Sequence, residues 1–211
     1  MNTIITIGRQ FGSGGHDIGV LLAKELGIPL YDKELLEEAA KESGMAKEII
    51  EHQDESKSGS FLFSLVMDSY STGNNSGSFI HDMPLSQKVF LAQFDAIQSL
   101  AEKGPCVIVG RCADYALDRD PRLLSVFLHA DEDFRIERIT KSYGLPASKA
   151  RDRMIKIDKG RQSYYNYNTN KRWGACESYD LTINTARTGI EGAVEIIKNA
   201  IAAKEKYQAA E

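Results

Sequence analysis

A chain of 211 residues suits one domain with a sizeable core, and 42% hydrophobic with 27% charged residues excludes an intrinsically disordered chain. No apolar run reaches a membrane span, and the opening MNTIITIGRQ lacks the basic and apolar regions of a secretory leader, so a cytoplasmic protein is expected. The net charge of −4 divides unevenly: Arg135 to Arg172 hold 11 Lys/Arg against 3 Asp/Glu, leaving an acidic body that argues against a general nucleic-acid binder.

The elements follow in chain order. TIITIG (3–8) predicts a buried strand, and the stripe Ile18, Leu21, Leu22 and Leu26 predicts a helix stopped before Gly27 and Pro29. IPLY (28–31) predicts a second strand, ending at Asp32. Residues 41–85 then carry a weak helical pattern and SYSTGNNSGS, which has the composition of a mobile loop. Phe90, Phe94, Ile97 and Ala101 mark a helix stopped by Gly104-Pro105. CVIVG (106–110) and LLSVFL (123–128) predict two more strands. In the basic segment, Ala150, Met154 and Ile157 keep helical spacing ahead of YYNYNTNKRWG. YDLTIN (179–184) predicts a fifth strand, and Ile190, Val194, Ile197 and Ile201 a last helix, opened by a capping box from Thr188 to Glu191. Val/Ile/Leu-rich strands without polar alternation, separated by helices, predict an α/β fold with a mostly parallel sheet.

The glycines of GRQFGSGGHDIG (8–19) lie between the first strand and the first helix. Such a loop can turn successive backbone N–H groups toward phosphate oxygens while the helix N-terminus adds positive potential. Gly12, Ser13 and Gly14 match the central Gly-x-Gly of a phosphate loop. The first glycine is displaced to Gly8, Gly15 stands where lysine is usual, and His16 and Asp17 follow. A dinucleotide-binding loop is the rival, because Asp32 lies 18 residues after Gly14. Its first glycine should follow the strand directly, whereas Arg9, Gln10 and Phe11 intervene, and Asp17 replaces its third glycine. The spacing favours the phosphate loop. Arg9, at the strand–loop junction, is a candidate to supply the charge that Gly15 lacks, and Asp17 could help bind a metal through water.

Three cysteines without CxxC spacing read as free thiols. Tyr164, Tyr165, Tyr167 and Trp173 could stack on a base or pack the basic flap against its own core. Asp158 and Arg161, three apart, could form a surface ion pair or serve phosphate, and His129 reads as a structural histidine.

The chain resembles the cytidylate kinase-like family, a divergent branch of the P-loop nucleoside monophosphate kinases. The resemblance rests on ITIGRQFGSGGHDIGVLLAKELGIPLYD, LAEKGPCVIVGRCADYAL, VFLHADEDFRIERI, DKGRQSYYNYNTNKRWG and YDLTINT. In that branch GSGG without lysine is the usual form. The resemblance implies a five-stranded parallel P-loop core (1–40, 86–140 and 176–211), an acceptor-binding excursion over about 41–85, and a basic lid over about 141–175. It implies transfer of the ATP γ-phosphoryl group, with Mg²⁺, to a nucleoside monophosphate, CMP or dCMP being favoured. Gly12, Ser13, Gly14, Gly15, His16 and Asp17 would hold the donor. Arg9, Arg111, Arg138 and Arg161 would serve catalysis. Asp32, Arg111, Arg135 and Asp158 would face the acceptor. His129 departs from the family's common aspartate. A non-catalytic nucleotide sensor is the alternative raised by the missing lysine. A homodimer is compatible with the sequence, though no stretch demonstrates it.

Overall fold

The computed structural model describes residues 1–32 and 85–208. The weak helix and SYSTGNNSGS stretch assigned to the acceptor excursion therefore lie outside the described residues. The elements are β1 (Ile4–Arg9), α1 (Gly15–Leu26), β2 (Leu30–Tyr31), α2 (Leu85–Glu102), β3 (Val107–Val109), α3 (Ala113–Ala116), β4 (Leu123–His129), α4 (Glu132–Tyr143), α5 (Ala147–Asn168), β5 (Leu181–Asn184) and α6 (Thr185–Gln208). A short 3₁₀ turn, Cys176–Ser178, precedes β5. The five strands form one sheet in the order β2-β3-β1-β4-β5, and every pairing is parallel.

Burial on both faces explains the strand composition. In β1, Ile5 and Ile7 enter one apolar cluster with Ile18 and Leu22 of α1 and Val194, Ile197 and Ile201 of α6. Ile4 points the other way, into a cluster with Ile97 and Leu100 of α2 and Ile108 of β3. Alternate side chains thus meet helices on opposite faces, so both sets are largely apolar, with buried Thr6 the polar exception in β1. Each such fully buried Ile or Leu contributes about 1.5–3 kcal/mol of transfer free energy. An aspartate at Ile5 would break this packing by burying an unpaired charge. Pro29, lacking an N–H, contributes only its carbonyl to the ladder, which accepts the Val107 amide at 2.9 Å, and β2 stays short.

The topology places the site. The chain leaves β1 and fills the β3–β2 side of the sheet before crossing to β4 and β5, so the order switches at β1. Ile7 and Val109 are paired residues, which brings the loop after β1 and the turn after β3 together at the carboxyl edge. Ligand crevices of open parallel sheets form at such a switch.

Two elements differ from the sequence expectation. The helix α5 runs through the YYNYN stretch to Asn168, rather than ending before it. Its aromatic end is held by tertiary contacts: Tyr164 Oη donates to Gln93 Oε1 at 2.8 Å, and Tyr165 Oη to Asp114 Oδ2 at 2.6 Å. The helix α6 begins at Thr185 and is broken at Gly189, where φ is 69° and ψ −177°. Thr188 Oγ1 donates to the carbonyls of Asn184 and Gly189, at 3.4 and 3.1 Å, so this hydroxyl serves the turn before the break.

Candidate phosphate-binding site

The loop after β1 is built as a cradle. Gln10 N–H donates to Leu128 O at 2.9 Å, continuing the β4 pairing one residue past the strand. Gly14, at φ 82°, caps α1 without any side-chain hydrogen bond. A left-handed residue here turns the first amides of α1 outward, and those amides have no carbonyl one turn earlier to bond. They open on a cavity of about 460 Å³ lined by Gly12, Gly14, Gly15, His16, Asp17 and Arg138, among others. Positive helix-end potential and the unbonded amides of a helix start are features that suit an anion.

Phe11 fastens the loop to α5. Its N–H donates to Asp158 Oδ1 at 2.7 Å, while Asp158 Oδ2 meets Arg135 Nη1 of α4 at 2.5 Å. Arg135 Nη1 also lies 3.4 Å from Phe11 O. The Phe11 ring stands 5.7 Å from that of Tyr143, and the Arg153 and Arg161 guanidinium carbons lie 5.8 Å from the Phe11 centroid. Phe11 thus reaches α4 and α5 through its backbone hydrogen bond and its ring, while the Arg135–Asp158 ion pair joins the two helices beneath it. The 22-residue helix α5 buries only Ala150, Met154 and Tyr165, so these polar contacts carry much of its docking.

Three arginines gather at the crevice. Arg9 ends β1, Arg111 follows β3, and Arg161 reaches in from α5 to donate from Nη1 to Arg9 O at 3.0 Å. Arg111 (φ 58°) and Cys112 (φ 56°) continue the left-handed turn begun at Gly110 (φ 83°). Two non-glycine residues in that region cost about 1–2 kcal/mol each, strain characteristic of functional turns. Burial first, then the Arg161 and Arg111 charges, lower the Arg9 pKa to about 9, with Asp32 acting in the opposite sense. Burial likewise lowers that of Arg161, which Asp158 partly offsets.

Arg9 and Arg161 also wall a second cavity of about 560 Å³. Gly110, Arg111 and Lys156 line its cationic end, and Asp114, Tyr164 and Trp173 its aromatic end. These aromatics belong to a packed cluster around Phe127, whose ring lies 5.3 Å from Trp173 and 4.8 Å from Tyr179. They therefore both pack the flap and face the cavity. Burial raises the Asp114 pKa, against the pull of the Tyr165 hydrogen bond and Lys171. The Tyr179 hydroxyl is buried without a hydrogen-bond partner among the described residues.

The residues expected from sequence separate into groups. Arg9, Arg111 and Arg161 come together, and Gly12, Gly14, Gly15, His16, Asp17 and Arg138 share the first cavity. Ser13 lies behind the loop, its hydroxyl donating to Gln10 O at 2.9 Å and its carbonyl accepting from Thr185 at 2.7 Å. Arg135 and Asp158 pair beneath the loop rather than lining either cavity. Asp17 pairs with Arg138 at 2.6 Å, and Asp32 lies 3.8 Å from His16. Among the described residues no cluster of three or more His, Cys, Asp or Glu offers a ready metal site. Sequence reasoning missed Asp114, Lys156 and Tyr179. Asp114, three residues after Arg111, was the one within reach of local reading.

The model of the cytidylate kinase-like family matches residues 4–187. The chain belongs to that family. Over 109 residues it is 30% identical to a cytidylate kinase from Methanococcus aeolicus, a match covering 51% of this chain and 61% of the relative. The chain thus spans about three-fifths of the length of that curated relative. The crystal structure of an uncharacterized protein from Eubacterium ventriosum superposes with a TM-score of 0.71 at 31% identity, over 95% of this chain and 98% of that one. A shikimate kinase from Bacteroides thetaiotaomicron gives a TM-score of 0.52 at 15% identity, over 96% and 99% of the two chains. The latter likeness is one of fold, a P-loop kinase architecture. Family and fold together make a kinase-like protein.

Proposed function

We propose that the protein is an ATP-dependent phosphotransferase that moves the γ-phosphoryl group to a nucleoside monophosphate, with CMP or dCMP the favoured acceptor. The observation that carries the reading is the pair of cavities meeting at Arg9 and Arg161. A donor triphosphate fits the glycine cradle, and an acceptor phosphate fits the Arg111 end of the second cavity. The bond from the γ-phosphorus to its bridging oxygen breaks, an acceptor phosphate oxygen bonds to that phosphorus, and ADP leaves. Such a reaction asks for alignment and charge stabilisation rather than a covalent protein group. Arginines at the meeting point meet that need, because the planar guanidinium offers several donors to phosphate oxygens. The base would lie toward Tyr164, Tyr165 and Trp173, with Asp114 near its polar edge.

Mg²⁺ bound with ATP commonly keeps several waters and takes one or two protein carboxylates. Asp17 fits that modest demand as a single carboxylate at the cradle, acting through water or after release from Arg138. The ion would neutralise charge on the donor phosphates. Under the same reading, 41–85 forms the acceptor domain and about 141–175 the lid. Three free thiols support a reducing cytoplasmic setting, and no described helix is long and apolar enough to cross a membrane.

The glycine at position 15 favours a second reading, a nucleotide sensor without turnover. Incubation with Mg-ATP and a panel of monophosphates, following ADP and diphosphate, separates them. Conversion of CMP or dCMP supports the first reading. ATP binding with no product from any acceptor overturns it in favour of the sensor.

A further inference from the structure

We propose that Arg9 is a relocated phosphate-loop cation, a single guanidinium that serves the phosphates of both cavities and excludes a lysine from position 15. The inference rests on the phosphotransferase reading and goes beyond it by assigning one residue to both substrates.

The two ends of the Arg9 side chain carry the argument. A Cβ built on Gly15 would stand 2.7 Å from Arg9 Cβ and 2.8 Å from Arg9 Cγ. Those atoms are the root of the side chain and cannot swing aside as its tip could. The direction in which a lysine at 15 would leave the loop is therefore already filled. At the far end, the guanidinium lies across Gly110, where a Cβ would collide with Nη1 and come within 3.0 Å of Cζ. Gly15 and Gly110 thus bracket the side chain, one in the loop and one at the end of the neighbouring strand.

The bracket fixes the guanidinium on the wall shared by the two cavities. A lysine rising from the loop would approach from the donor side. Arg9 instead lies where the transferred phosphoryl group would pass, and its planar fork can bind oxygens on both sides. Its surroundings favour anion capture: Arg161 and Arg111 repel it, and partial burial removes water that would otherwise offset the repulsion. An arriving phosphate relieves that repulsion. Glycine at 15 is accordingly half of an exchange, whose other half is Arg9.

The test compares wild type with Arg9→Ala, Arg9→Lys, Gly15→Lys and the double variant Arg9→Gly/Gly15→Lys, in which glycine at 9 also removes the Cβ that stands 2.7 Å from the one built at 15. Each is titrated with ATP, with CMP and with inorganic tripolyphosphate, a base-independent probe, and its melting temperature is recorded. Arg9→Ala should weaken ATP and CMP binding by at least about tenfold each, the loss of one charge-assisted hydrogen bond, with little change in melting. Gly15→Lys alone should lower the melting temperature through collision with Arg9. The double variant should recover ATP and tripolyphosphate affinity but not CMP affinity, because its lysine reaches only the donor side.

Loss confined to one ligand in Arg9→Ala, a Gly15→Lys protein unchanged in melting and binding, or wild type that binds no CMP, overturns the two-sided assignment. The underlying reading fails separately. Wild type that binds tripolyphosphate and CMP through Arg9 yet converts no monophosphate removes the phosphotransferase and keeps the assignment. Turnover indifferent to Arg9→Ala does the reverse.

Discussion

Neutralising Asp158 should loosen the protein by an amount its burial determines. The Arg135 and Asp158 side chains retain only 10% and 15% of their exposure, so the pair is far from a solvated surface bridge. Removing one partner of a buried pair costs about 3–5 kcal/mol, chiefly because the remaining charge is stranded. The residual exposure places Asp158→Asn at the lower end, about 3 kcal/mol. Among the described residues Arg135 Nε has no hydrogen-bond partner, so its guanidinium has little spare stabilisation to fall back on. Asp158→Ala also strands the Phe11 N–H, adding about 1–3 kcal/mol. In a chain of this size about 3 kcal/mol corresponds to a melting shift of about 6–12 °C.

Thermal and urea melts of the two variants read the global cost. Hydrogen exchange along α5 reads any local release of the helix. Arg135→Met/Asp158→Asn should be more stable than Asp158→Asn alone, since no charge is then left buried. An Asp158→Asn protein within about 1 kcal/mol of wild type, with unchanged α5 exchange, would show an ordinary surface pair and refute the clamp.

Two further outcomes follow from the environments of named groups. With the Arg9 pKa lowered to about 9 by burial and neighbouring cations, a bound polyanion favours the charged guanidinium. Phosphate affinity carried by Arg9 should then hold below that value and fall as pH rises through it. Calorimetric titration of tripolyphosphate against pH checks this; a profile flat through that value, or a fall retained in Arg9→Ala, contradicts it. For the thiols, burial pushes Cys106 up to about 11 and Cys112 up to about 12, while Cys176 lies exposed. Native protein should react quickly at Cys176 alone, and unfolded protein at all three cysteines, as counted by a chromogenic thiol reagent.

The fold was legible where burial is uniform and local. The five strands announce themselves by their apolar residues, most as Val/Ile/Leu-rich runs because helices cover both faces of the sheet. The edge strand β5 alternates, with Thr182 exposed between Leu181 and Ile183. The glycine loop was legible for a related reason, since its backbone needs leave few residue choices. The aromatic end of α5 was not. The sequence stripe runs only through Ile157, whereas Gln93 and Asp114, 71 and 51 residues away, hold Tyr164 and Tyr165 in helical register. Thr188 misled in the opposite way. Its spacing to Glu191 satisfied a capping rule, but Gly189 turns left-handed between them and breaks the helix there.

The charge asymmetry is only partly directed at the crevice. The segment Arg135–Arg172 is strongly basic, which suggests a flap whose charge is meant for a ligand. Much of that charge is spoken for: Arg135 meets Asp158, Arg138 meets Asp17, Lys141 meets Glu137, Arg151 meets Glu132, and Lys171 meets Asp118. Arg153 stacks on Tyr143, 4.2 Å from its centroid. At the junction of the two cavities the segment supplies Arg161, while Arg9 and Arg111 come from the ends of β1 and β3. Pairing with acids of the body and of the segment itself thus engages five of its eleven cations. In the linings of the two cavities Arg138, Lys156 and Arg161 of the segment join Arg9 and Arg111, which topology places side by side although 102 positions separate them in the sequence. A strand-end arginine is fixed by the ladder beneath it, so it needs no lid closure to be in position. Arg161 comes from α5 and is held by the Arg9 carbonyl as well as by its helix. The cations set by the sheet are therefore held at the crevice independently of how α5 is docked, and Arg161 joins them through the docking of that helix.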